Sequence, residues 1–141
     1  MTRDAQPADV LRVYLEDQLG YPWWLTRADK TSNQYGILTA PAWAAAREPG
    51  LSSVQDRDLD TDVRVKVVAG TTTSVVTMLG RVRDLLWVGR QPTRIPMAGW
   101  LLETHYVRSE FVDVDESTTR PETKLHPAFG VDTYHLTAQP L

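Results

Sequence analysis

The stretch "DVRVKVVAGTTTSVVTMLGRVRDLL", residues 62–86, contains the clearest structural pattern of the chain. Valines recur at alternate positions, Val63, Val65 and Val67. This period of two predicts a strand with one buried face. After Gly70, threonine and serine hydroxyls are available to cap a helix. Apolar side chains then recur at three- and four-residue steps, which predicts a helix over about residues 73–88.

A strand that turns at a glycine into a helix often binds a phosphate group. A P-loop requires the pattern G-x-x-x-x-G-K-[ST], and a dinucleotide site requires three glycines. Here Gly70 is followed by three threonines and a serine, with no lysine and no further glycine before Gly80. The segment therefore predicts a turn and a helix cap, and no nucleotide site.

The remaining segments predict a sheet covered by helices. "QPADVLRVYLEDQLG" has one apolar stripe and ends at a glycine, which predicts a first helix. Strands are predicted in "WWL", in "QYGIL", in "WLLETHYVRSEFVDVDE" with a break near Ser109, and in "VDTYHLTAQPL". "RQPTRIPMAG" has two prolines, which predicts a loop. The order indicates a single α+β domain over residues 1–141, with a mostly antiparallel sheet and two helices packed on one face.

Composition narrows the class of protein. The chain has 141 residues, which suits one domain, and its net charge of -3 argues against general nucleic-acid binding. It has no cysteine, which excludes disulfides and thiolate metal sites. The N-terminus has no apolar core of a signal peptide, and no apolar run is long enough to span a membrane. We therefore expect a soluble protein with no membrane contact.

We find no pattern that predicts catalysis, a cofactor or a metal. The three histidines lack helical metal-ligand spacing, although His105 and His135 lie on predicted strands and are possible neighbours. "DRDLDTD" lacks the glycine and the final glutamate of a calcium loop. There is no G-x-S-x-G motif. We expect a protein that is not an enzyme, with no catalytic, cofactor-binding or metal site.

Aromatic residues are numerous for a small domain. Large rings are favoured both in cores and at protein interfaces, so "YPWW" either packs under the first helix or faces a partner. As candidate subunit-interface residues we take Trp23, Trp24, Trp100, Tyr106 and Phe111. The long strand over residues 100–114 and the last strand are candidate sheet edges for pairing between subunits.

The arrangement of these segments is shared with a known class of viral protein. It begins with the amphipathic helix "ADVLRVYLEDQLG", continues with the strand and turn "DTDVRVKVVAGT" and the helix "TSVVTMLGRVRDLL", and ends on "FGVDTYHLTA". In this arrangement the chain resembles the tail terminator proteins of long-tailed bacteriophages. The resemblance covers most of the chain. It is best from Asp62 to the C-terminus and weakest over residues 21–49.

The resemblance implies a structural protein of the virion tail and neck, assembled in the host cytoplasm. Its single domain would form a hexameric ring that ends polymerisation of the tail tube protein and joins the tail to head–tail connector and neck proteins. DNA would pass through the ring without specific binding. From the net charge and the alternate aspartates we add the hypothesis that Asp56, Asp58 and Asp60 form an acidic lining of the ring.

Other functions fit the sequence less well. Another head–tail connector subunit, such as a head-completion protein, has a similar size. A small ligand-binding or enzymatic α+β domain would need a pocket with converging polar groups, and the sequence does not indicate these. A nucleic-acid binder would need a basic surface with interleaved aromatics, and "RVRDLLWVGRQPTR" is the only basic patch in the sequence.

Overall fold

A computed structural model describes residues 6–29, 33–40, 59–116 and 126–141. The elements in chain order are α1 (Pro7–Leu19), β1 (Trp23–Leu25), β2 (Tyr35–Thr39), β3 (Leu59–Ala69), α2 (Thr72–Leu86), a 3-10 turn (Val88–Arg90), β4 (Thr93–Met97), β5 (Trp100–Ser109), β6 (Asp113–Val114) and β7 (Ala128–Pro140). The strands form one sheet in the order β1-β2-β3-β7-β5-β4, and β6 also pairs with β7. Among the described pairings, β1 with β2 is parallel and the others are antiparallel. The predicted α+β class is confirmed.

The strand–turn–helix of residues 62–86 forms as its pattern predicts. The three alternate valines of β3 are fully buried. The Thr71 hydroxyl accepts a hydrogen bond from the Ser74 N–H at 3.1 Å and caps α2. The helix ends at Leu86, two residues before the predicted end, and Gly89 follows it with a φ of 62°. The turn after β3 therefore provides the N-terminal cap of α2.

Strand β7 lies in the middle of the sheet, between β3 and β5. Its Gly130 faces α2, where a Cβ atom would lie 2.7 Å from the Leu79 side chain and 2.9 Å from that of Val75. A glycine is needed here because α2 packs almost directly on the strand. Helix α1 contacts β1, β5 and α2, and the two helices together cover one face of the sheet.

One segment predicted as a loop is a strand. Residues Thr93–Met97 form β4, which pairs antiparallel with β5 and places Pro96 opposite Leu101. The loop prediction is wrong because β4 is the outermost described strand on its side. A proline is tolerated there, since the outer side of an edge strand needs no ladder N–H.

The long strand breaks where the sequence predicts. Its register against β7 shifts between Tyr106 and Arg108, and β5 ends at Ser109. The short β6 then pairs with the beginning of β7. The shift is a bulge, which bends a strand and changes the direction of the side chains that follow.

Trp23 and Gly36 form a close contact between neighbouring strands. The two residues are partners in the β1–β2 register. The Trp23 side chain is 1% exposed and stacks on Tyr21, with 5.7 Å between the ring centroids. A Cβ atom at Gly36 would lie 2.5 Å from the indole. A glycine inside a strand often marks a bulge or a weak point, but the register runs through Gly36 without a shift. The glycine instead makes room for the indole.

We predict that Gly36→Ala lowers the free energy of unfolding by about 1–3 kcal/mol, because the new methyl group forces the buried indole to move. Gly80→Ala is the matched control. It lies within α2, with open space where its Cβ atom would be, so alanine there should stabilise by about 1 kcal/mol. Urea unfolding of both variants measures the difference. Equal effects would contradict the packing of Trp23 on Gly36.

Candidate functional site

Two of the five predicted interface residues belong to the core. Trp23 and Trp100 are each 1% exposed in the single chain. Their prediction as subunit-interface residues is wrong, because the helices cover the face of the sheet that these rings fill. Trp24 and Tyr106 are half-buried, and Phe111 is 95% exposed. The structure thus separates a buried set from one aromatic side chain that is almost entirely in solvent.

Tyr106 is held by contacts within the subunit. Its ring meets that of Tyr134 edge-on, with centroids 5.7 Å apart, and the Arg83 guanidinium lies 4.8 Å from its centroid. Its hydroxyl lies 3.0 Å from the Ser109 hydroxyl. Its half-buried surface therefore supports the fold, and Phe111 and Trp24 are the stronger interface candidates.

Phe111 lies in an exposed segment at one edge of the sheet. The pairing of β5 with β4 ends at Thr104, so residues beyond it have β7 on one side and no β4 partner on the other. We call residues 107–114 the distal segment. Its exposed apolar side chains are Val107, Phe111 and Val114. This edge therefore offers apolar surface to a partner.

The opposite edge of the described sheet is β1, and α1 closes part of it. The Trp23 N–H donates to the Glu16 carboxylate at 3.0 Å, and the Trp23 carbonyl accepts from the Arg12 guanidinium at 3.3 Å. These bonds satisfy the outward backbone groups of the first residue of β1, so a partner strand cannot pair at Trp23. A cleft of about 500 Å³ lies beside them, lined by Arg12, Glu16, Trp23, Trp24, Leu25, Arg27 and Asp29.

The prediction that the last strand offers a sheet edge is wrong. β7 is paired on both sides over its length, with β3 and with β5 and β6. Sequence order does not determine position in a sheet. The chain passes through β4 and β5 on one side and then returns to the centre as β7. Of the two strands predicted as sheet edges, only β5 is one within the described sheet, and only beyond Thr104.

A buried ion pair lies where β5 bulges. Asp132 on β7 is fully buried and pairs with the Arg83 guanidinium of α2 at 3.1 Å. The Ser109 hydroxyl also contacts its carboxylate closely. Burial acts to lower the pKa of Arg83, but the Asp132 carboxylate raises it, and the net shift is upward. Arg83 lies in the stretch "RVRDLLWVGRQPTR", which by sequence is only a basic patch, and the pair was not predicted. The available signal was an aspartate inside the apolar run "FGVDTYHL".

The predicted acidic residues are only partly within the described chain. Asp56 and Asp58 lie outside the described residues. Asp60 is on β3, on the face opposite the helices. Further along the same face of β3 come Arg64 and Lys66, so the described part of this face carries both signs of charge. That Asp60 lines a passage for DNA remains a prediction.

His135 lies between two aspartates on this face. Its Nε2 contacts the Asp60 carboxylate closely, and its Nδ1 lies 2.8 Å from Oδ1 of Asp62. The hydrogen bond to Asp62 raises the pKa of His135, burial opposes this, and Asp60 adds to the rise. His105 is the cross-strand partner of His135, which confirms that the two strand histidines are neighbours.

The described residues offer no arrangement that suits a metal ion or a membrane span. Within them, no group of three or more histidine, cysteine, aspartate or glutamate side chains is placed to hold a metal. Their helices are too short or too polar to cross a bilayer. In comparisons with known proteins, no family model and no curated protein matches this chain.

We predict that Arg83→Ala lowers the free energy of unfolding by about 2–3 kcal/mol, because the buried Asp132 carboxylate loses its charged partner. Arg108→Ala removes an exposed arginine of β5 and should change it by no more than about 0.5 kcal/mol. In an Asp132→Asn background the cost of Arg83→Ala should fall sharply. Equal costs in the two backgrounds, measured by urea unfolding, would contradict the ion pair.

We predict a pH dependence of stability from His135. Its pKa is higher in the folded than in the unfolded protein, so the stabilisation is complete below the ordinary histidine pKa of about 6.5 and is lost as pH rises through the folded pKa. The difference in unfolding free energy between wild type and His135→Gln should therefore shrink from pH 5.5 to pH 8.5. Asp62→Asn should reduce this dependence. A difference that grows with pH would refute the assignment.

Proposed function

We propose that this chain is a structural subunit of a bacteriophage virion, a tail terminator that forms a hexameric ring. The ring would end polymerisation of the tail tube protein and join the tail to connector or neck proteins, with assembly in the host cytoplasm. DNA would pass through it without specific binding. The subunit would act through its surfaces, with no enzymatic activity and no cofactor.

The proposal is carried by the element order of the fold. The resemblance depends on an opening helix, a valine-rich strand, a capped helix and two late strands. These segments are α1, β3, α2, β5 and β7 of the described structure. They pack as one unit, in which β3 and β7 are paired and α2 lies on both. The segments that carry the resemblance therefore make up the centre of the domain.

The two edges of the sheet add independent support. A ring with cyclic symmetry joins two different surfaces of each subunit, head to tail. The distal segment presents exposed apolar side chains at one edge. At the other edge, β1 is closed at Trp23 by α1 and borders a cleft. The subunit thus has two unlike edges, as a head-to-tail assembly requires.

We predict that the purified protein assembles as a hexamer, either alone or on purified tail tubes, because the two unlike edges suit a closed ring. Mass photometry with and without tubes measures the assembly. Capped tubes should also stop elongating when more tube protein is added, and bovine serum albumin at the same concentration serves as the control.

The same measurement separates the alternatives. A twelvefold ring that leaves tube length unchanged would favour another head–tail connector subunit. A monomer that ignores tubes would contradict assembly altogether. It would direct attention to a small ligand in the cleft beside β1.

A further inference from the structure

We propose that Phe111 of one subunit inserts into the cleft beside β1 of a second copy of this chain. The cleft is the one bounded by Trp24, Leu25 and Arg27. The closure of such contacts into a hexameric ring rests on the proposed function. The contact between two copies rests only on the surfaces of the single chain.

The residues on either side of Phe111 contact β7, although the Phe111 side chain itself lies in solvent. The Glu110 N–H before it donates to the Val131 carbonyl at 2.9 Å. Val112 after it packs toward Gly130, where a Cβ atom would lie 3.2 Å from its side chain. Both neighbours are thus fixed to β7 while the Phe111 side chain is 95% exposed. Because the backbone on both sides of Phe111 is already ordered, binding need not order this segment, which favours affinity.

The cleft suits a side chain better than a strand. Arg12 and Glu16 occupy the backbone groups of Trp23, so the edge cannot extend the sheet there. Trp24 is half-buried and Leu25 is 38% exposed, which gives the cleft an apolar wall. An inserted aromatic ring surrounded by polar groups is the usual form of an interface hot spot.

Phe111 and the cleft lie at opposite edges of the sheet and at the same level along the strands. The register runs from Trp23 to Gly36, from Gly36 to Val67 and from Val67 to Gly130. Glu110 is bonded next to Gly130, at Val131. The two surfaces are therefore separated by about four strand spacings, ~19 Å across the sheet. Surfaces placed in this way on one chain join copies head to tail, and such contacts close into a ring when the rotation permits.

The charges beside the two surfaces are complementary. Asp113 lies two residues after Phe111 and is exposed, while the exposed Glu110 before it pairs with Arg64 of its own chain at 3.5 Å. Arg27 is exposed at the cleft, and within the described part of the chain its side chain has no ion partner. Arg108 of the distal segment likewise matches Asp29 of the cleft. A second copy of the chain supplies the Phe111 side chain together with a carboxylate for Arg27 and a guanidinium for Asp29, so it is the occupant we propose.

Disulfide trapping tests the contact, because the natural chain has no cysteine to interfere. Phe111→Cys and Leu25→Cys subunits are mixed, with and without tail tubes, and oxidised. We expect a mixed disulfide dimer, and the double variant should give a ladder of linked subunits. Val76→Cys, on an exposed position of α2, replaces Phe111→Cys in the control mixture and should give no more than background.

A second measurement uses Phe111→Ala. Since the ring is almost entirely exposed, the subunit should remain folded while self-association weakens at least about tenfold, as for an aromatic hot spot. Val88→Ala, also on an exposed apolar residue, is the matched control and should leave association unchanged. Sedimentation velocity over a concentration series measures both.

The outcomes distinguish this inference from the proposed function. Rings that form on tubes without the mixed disulfide, and that tolerate Phe111→Ala, overturn the contact but leave the terminator function standing. A mixed disulfide in subunits that ignore tubes supports the contact and overturns the terminator function. No association under any condition overturns both.

Discussion

The pairing of β3 with β7 is the contact on which the rest of the fold depends. It runs from Leu59 opposite Ala138 to Ala69 opposite Ala128. One half of the sheet, β2 and β1, is attached through β3, and the other half, β5 and β4, through β7. The same register places Gly130 under α2. A slip by one residue would reverse the faces of β7 and turn Asp132 away from the helix, so the ion pair with Arg83 could not form.

The sequence predicts those parts of the fold that depend on local patterns. The left-handed Gly20 that ends α1, the Thr71 cap of α2 and the alternate valines of β3 are all where their patterns place them. Two predictions fail because they depend on neighbours. The proline-containing β4 is a strand because it lies at an edge, and β7 lies at the centre although it comes last. Periodicity identifies a strand but does not say which strands lie beside it.

The candidate site is less predictable, because its contacts join distant parts of the chain. Composition does not separate Trp100, which is buried, from Phe111, which is exposed. The difference is made by the helices, which cover one of these residues and leave the other. Arg83 meets Asp132 across 49 residues and His135 meets Asp62 across 73. The second pair follows from the register of β3 on β7, and the first from the packing of α2 on β7. The sequence around each residue does not indicate which distant residue it meets.

The central position of β7 has a consequence for the synthesis of the protein. Because β7 follows every other described strand in the chain, the sheet stays in two unattached halves until the ribosome has made residues 128–140. Pairing between distant segments is slow, and β3 has an unpaired edge in the meantime. The two outer edges of the sheet acquire a fixed spacing only when β7 joins its halves. A chain that stops before β7 thus lacks the fixed spacing of the two edges. The topology itself therefore keeps incomplete subunits out of the assembly.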